Sequence, residues 1–140
     1  MSRTIQALVI DSDRLRRVLL RSILEGAGLT VLGAPVVEGL GWRVLRAAPC
    51  DLVVTDLPLT DAEGLAMLRE LPNGFPDTHI IALMDGIGAH RESIELADER
   101  LHERVRTLVK PVFPQQLLAA VQELFPDWHP EVTDWAQHGL

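Results

Sequence analysis

The chain has 140 residues, 47% of them hydrophobic and 24% charged, with a formal net charge of −7. That length suits one domain around one core, and the apolar content excludes a disordered chain. The acidic balance argues against a non-specific nucleic-acid binder, which needs a basic face, and leaves room for a local basic patch.

The first apolar run, residues 4–10 (TIQALVI), reads as a strand and ends on the acids of the stretch DSD, Asp11 and Asp13. A helix is expected from Arg14 to Glu25, with Leu15, Val18, Leu19, Ser22 and Ile23 at the spacing of one inward face. Glycines in EGAG, residues 25–28, supply its stop. Residues 30–34 (TVLGA) make a second strand, and Val36 to Ala47 a second helix weakened by Gly39 and Gly41. The run DLVVT, residues 51–55, is a nearly continuous apolar strand of the kind buried on both faces. A short third helix is expected from Glu63 to Leu71, a fourth strand at 79–84 (HIIALM), and a charged fourth helix from Arg91 to Arg104. Residues 106–109 (RTLV) are the fifth strand, and Pro114 opens a fifth helix that turns Leu117, Leu118, Val121, Leu124 and Phe125 inward.

Strict alternation of strand and helix with short connections predicts parallel strands, right-handed crossovers and an open doubly wound α/β sheet. The single cysteine, Cys50, excludes an internal disulfide and a cysteine-based zinc site, and a reducing, cytoplasmic setting is expected. The five histidines show no metal-ligand spacing on one element. No stretch approaches the roughly twenty apolar residues of a membrane span.

Ligands of such sheets bind at the carboxyl ends of the strands. There the chain gathers Asp11, Ser12 and Asp13, then Asp56, then Met84 and Asp85, and finally Lys110 before Pro111. Crowded carboxylates need a cation or the lysine to offset their repulsion. Hard oxygen ligands at an open site suit Mg²⁺, and a carboxylate beside such an ion serves as a nucleophile toward phosphorus.

The residues that carry this pattern resemble the receiver domain of bacterial two-component response regulators over about residues 4–125. The likeness lies in ALVIDSDRLRRVLLRSILEGAGLTVLGA, in DLVVTDLPLTDAEGLAMLREL with its Gly64, and in LVKPV. The resemblance implies a flavodoxin-like sheet of five parallel strands, ordered 2-1-3-4-5, with five helices. It implies Asp56 as phosphoacceptor and as a ligand of a Mg²⁺ site, Asp11 as the first acid of that site, the Pro58 carbonyl as a further ligand, and Lys110 as the phosphate partner. It also implies that the Lys110–Pro111 bond is cis.

Three departures from the family pattern bear on function. Ser12 stands where the family has a second acid; it is a candidate ligand without charge, and Asp13 is either its substitute or the N-cap of the first helix. Met84 stands where the family has a switch hydroxyl, and a thioether donates no hydrogen bond. Thr107 stands at the aromatic switch position of the fifth strand. A weakened Mg²⁺ site and a degenerate switch are therefore expected.

Residues 1–125 are expected to form the receiver, and 126–140 a tail or the start of a linker. In that tail Trp128, Val132 and Trp135 share a helical face, which suits either a turn packed on its own domain or an aromatic partner patch. Leu96 and Leu108 are candidate partner contacts on the face of helix four, strand five and helix five, whereas Arg14, Arg17 and Arg21 read as a solvated basic side of the first helix. The expected function is phosphoryl acceptance on Asp56 from a histidine kinase or phosphotransfer protein, with output through a downstream protein or a homodimer. Direct nucleic-acid or membrane contact is not expected. A phosphorylation-independent adaptor of the same fold is the alternative. A small phosphatase-like or flavodoxin-like enzyme is disfavoured, because no flavin loop is present and Pro58 sits where a second catalytic acid would follow Asp56.

Overall fold

A computed structural model describes residues 4–11, 13–33, 50–56, 77–84 and 103–130. In chain order these form β1 (Gln6–Ile10), α1 (Arg14–Gly26), β2 (Thr30–Gly33), β3 (Leu52–Thr55), β4 (His79–Met84), β5 (Val105–Val109) and a C-terminal helix α2 (Pro114–Leu124). The helices expected at 36–47 and 63–71, and nearly all of that at 91–104, lie outside the described residues.

All neighbouring strands pair in parallel, in the order β2-β1-β3-β4-β5. This is the five-stranded flavodoxin-like sheet that the family resemblance implies. β3 is buried at every position and β1 at every position but Gln6, as apolar strands covered on both faces should be. Ile5, Ala7 and Val9, Leu52 and Val54, and Ile81 and Leu83 alternate onto one face. There they pack with Leu20, Ile23 and Leu24 of α1 and Leu117, Val121 and Leu124 of α2.

The C-terminus of α1 shows why the EGAG stretch ends a helix. Gly28 takes φ 99°, which an L side chain resists. That turn lets the Leu29 N–H reach the Leu24 carbonyl at 3.0 Å and the Gly28 N–H reach Glu25 at 3.0 Å. This is a Schellman closure, with Leu24 and Leu29 both in the core beneath it.

The inward face of α1 differs from the sequence expectation. Leu20, Ile23 and Leu24 are buried, whereas Leu15 is 82%, Val18 62% and Leu19 53% exposed. Both stripes have helical spacing, and the one continued by Ala27 wins because it meets the sheet. One turn before Leu20 on that buried stripe stands Arg16, a residue the charge pattern did not single out.

The aromatic tail also resolves in part. Trp128 is 1% exposed and belongs to the core, so it is not a partner-surface residue. Its N–H bonds the Phe125 carbonyl at 2.9 Å, which folds the chain back after α2. Leu108 is half-buried and packs against the core, so it too offers little surface. Leu96 and Trp135 lie outside the described residues. Replacing Trp128 with Ala should cost about 3–5 kcal/mol of unfolding free energy in a urea titration. A loss below about 1 kcal/mol would contradict its core placement.

Candidate functional site

Register brings the acids together. β1 and β3 pair with Ile10 opposite Thr55, so the next residue on each strand, Asp11 and Asp56, emerges side by side at the carboxyl edge. The Asp56 N–H still bonds the Ile10 carbonyl, at 3.2 Å. On the far side of β4, Met84 pairs with Val109, and the next residue, Lys110, donates its N–H to the Met84 carbonyl at 2.8 Å. The Lys110–Pro111 peptide is cis, as the resemblance implies.

The Asp11 side chain is fully buried, and a buried carboxylate must be matched by charge and hydrogen bonds. Arg16 supplies both. Its Nε donates to Asp11 Oδ2 at 2.5 Å and its Nη2 to Asp11 Oδ1 at 2.9 Å, a two-pronged guanidinium–carboxylate contact. The same Nη2 lies 3.2 Å from Asp56 Oδ2, and the Asp56 side chain is only 7% exposed. Arg17 adds a bond from Nη1 to the Asp11 backbone carbonyl at 2.8 Å. The hydrogen bond to Asp11 holds the Arg16 pKa above its already high ordinary value, against the opposing effect of burial.

Asp13 resolves to the capping role. Its Oδ1 accepts the Arg16 backbone N–H at 3.1 Å, and its own N–H donates to Asp11 Oδ1 at 2.8 Å. Among the described residues no three acidic, histidine or cysteine side chains lie together as a metal-binding group. Ser12, Pro58 and Asp85 lie outside the described residues.

Met84 closes β4, half-buried, and presents a thioether at the strand end. Thr107 is half-buried on β5 opposite Ala82. The arrangement therefore holds two adjacent carboxylates and a guanidinium between them, with a lysine two strands away. Burial pushes the Cys50 thiol up to about 11, so it is an inert core group.

Arg16 is the site residue that the sequence reading missed. The available signal was its position four residues before Leu20 on the buried stripe, within reach of Asp11. The Mg²⁺ ion that the resemblance implies meets a pair already matched by this arginine. Both Asp11 oxygens accept N–H donors, and the residues present do not fit the ion without moving the guanidinium.

The backbone hydrogen bond from Arg16 is the largest cause holding the Asp13 pKa below its ordinary 3.8. A lowered carboxylate pKa contributes stability that is present above the unfolded value and is lost as pH falls through the folded one. Asp13→Ala should therefore lower the thermal midpoint at neutral pH, with the difference from wild type shrinking on acidification below pH about 4. An undiminished difference at low pH would contradict the capping role.

A model of the response regulator receiver domain matches residues 7–122. A receiver-domain structure from Clostridium thermocellum is 27% identical, with TM-score 0.65, covering 86% of this chain and 94% of that one. A response regulator from Thermotoga maritima is 23% identical (TM-score 0.61; 89% and 99% covered). A receiver protein from Burkholderia phymatum is 21% identical (TM-score 0.68; 91% and 99% covered). No curated protein matches.

Proposed function

The chain belongs to the response regulator receiver domain family of two-component signalling, and from that premise we propose that it accepts a phosphoryl group on Asp56. The observation that carries this reading is the pairing of Asp56 with the buried Asp11 at the carboxyl edge of the two central strands. A carboxylate oxygen of Asp56 attacks the phosphorus of a phosphohistidine on a histidine kinase or phosphotransfer protein. The P–N bond breaks, the imidazole leaves and takes up a proton, and an acyl phosphate remains on Asp56. Lys110, at the end of β5, offsets charge on the transferred group. Mg²⁺ is the weakly held cofactor of this reading, and Asp11, Asp56, the Pro58 carbonyl and the Ser12 hydroxyl would hold it only once the Arg16 guanidinium has moved off the acids. Any self-catalysed chemistry is confined to phosphoryl uptake and slow hydrolysis.

Two features favour a second reading, an adaptor that binds its partner without phosphorylation. Met84 donates no hydrogen bond to a phosphoryl group, and Arg16 already satisfies the acids that phosphorylation would perturb. Both readings place the output in protein–protein contact, in a cytoplasmic setting. Among the described residues no helix is long and apolar enough to cross a membrane.

Incubation with acetyl phosphate followed by intact-mass measurement decides between them. The phosphoacceptor reading predicts a gain of one phosphoryl group that Asp56→Asn abolishes; no gain, or an equal gain in the variant, would favour the adaptor.

The exposed Leu15, Val18 and Leu19 of α1 form an apolar strip that begins in the first turn of the helix, beside the pocket. A phosphotransfer protein docked there would bring its histidine to Asp56. Leu15→Glu should slow phosphotransfer from a protein donor on the order of tenfold or more while leaving uptake from acetyl phosphate unchanged. Equal slowing of both would place Leu15 in the pocket's own chemistry instead.

A further inference from the structure

The Asp11–Asp56 pair carries two negative charges, and Arg16 reaches both members from within the same chain. Asp11 is the more tightly held. Its Oδ1 accepts from the Asp13 N–H at 2.8 Å and from Arg16 Nη2 at 2.9 Å, and its Oδ2 accepts from Arg16 Nε. Mg²⁺ needs carboxylate oxygens at roughly 2.0–2.1 Å in near-octahedral geometry. An ion coordinated by Asp11 would therefore stand where the guanidinium fork now lies. Guanidinium and ion do not share the position, since a cation held at ~4 Å from a divalent one in a partly buried site is strongly repelled.

The exchange has a route. The Arg16 side chain is 26% exposed, so the long arm lies at the rim and can swing into solvent while its stem stays on the inward stripe of α1. Swinging out leaves Asp11 buried without its partner, which is costly unless another cation arrives. The Ser12 position compounds the effect. Where a second acid would add attraction for a divalent ion, the chain carries a neutral hydroxyl, and Arg16 adds a positive charge besides.

We propose that Arg16 is a built-in counter-cation of the Asp11–Asp56 pocket, which a divalent metal must displace in order to bind. The residue thereby sets the metal threshold of the site. At low metal the pocket is closed by its own arginine, and metal enters only in exchange for it. This rests on the reading of Asp11 and Asp56 as the acid pocket of the receiver.

The test compares Mg²⁺ and Mn²⁺ binding to wild type, Arg16→Met and Arg16→Gln in the full chain. Amide shifts report Mg²⁺, and paramagnetic broadening near Asp11 and Asp56 reports Mn²⁺. Both variants should bind metal on the order of tenfold or more tighter than wild type. Their thermal midpoints should fall below wild type without metal and rise on adding Mg²⁺, whereas the wild-type midpoint stays nearly constant. Equal affinity in all three proteins, or binding in none, would overturn the proposal. Micromolar binding by wild type would overturn it even if neither variant folds. Failure of Asp56 to take up a phosphoryl group, with the metal results as expected, would remove the phosphoacceptor reading and leave the role of Arg16 standing.

Discussion

A buried carboxylate at the end of a central strand is the constraint on which the rest of this site depends. Asp11 has no exposure, so the chain must bring it a charge and enough donors to replace water. Arg16 brings the charge and two donors, and the Asp13 N–H brings a third. Meeting that demand fixes where α1 starts. Asp13 caps the helix while its N–H holds Asp11, and Arg17 ties the Asp11 carbonyl to the same first turn. The Schellman turn at Gly28 fixes the other end, and Leu20, Ile23 and Leu24 set the rotation that aims Arg16 at the strand ends. Asp56 then joins the same guanidinium because β3 pairs in register beside β1.

Much of this was legible in the sequence, and the misses have a common cause. Near-continuous apolar runs marked β1, β3 and β4, since strands covered on both faces leave no other pattern. Parallel pairing followed from the alternation, and the strand-end residues Asp11, Asp56 and Lys110 followed from the parallel sheet. The rotation of α1 was misread because Leu15, Val18 and Leu19 repeat at the same spacing as the true stripe, so periodicity alone did not choose between two faces. Choosing the wrong one hid Arg16, which lies on the buried stripe and was not singled out among the arginines of that helix. Trp128 was ambiguous for a different reason. A tail aromatic is equally apolar whether it covers its own core or a partner, and only the turn after Phe125 settles that it is buried.

The functional consequence is a receiver whose two strand-end carboxylates already share one guanidinium. In the proposed function the acids must accept a phosphoryl group, yet Arg16 lowers the repulsion that would otherwise recruit a divalent ion. Met84 offers no donor to follow the modified Asp56. Under the proposed function, phosphoryl acceptance on Asp56 would be separable from conformational output, and motion of Arg16 would be the link between them. Displacing it would free the first turn of α1, beside the exposed strip of Leu15, Val18 and Leu19.

The central claim is that the Arg16 guanidinium is locked between Asp11 and Asp56 in the resting protein. The most direct measurement is the side-chain Nε–H resonance of Arg16 in a ¹H–¹⁵N spectrum, assigned by its loss in an Arg16 variant. A hydrogen-bonded Nε–H should appear as a shifted, slowly exchanging signal that Asp11→Asn moves to the position of a solvated arginine. A signal already averaged with water in the wild type, and indifferent to Asp11→Asn, would contradict the account.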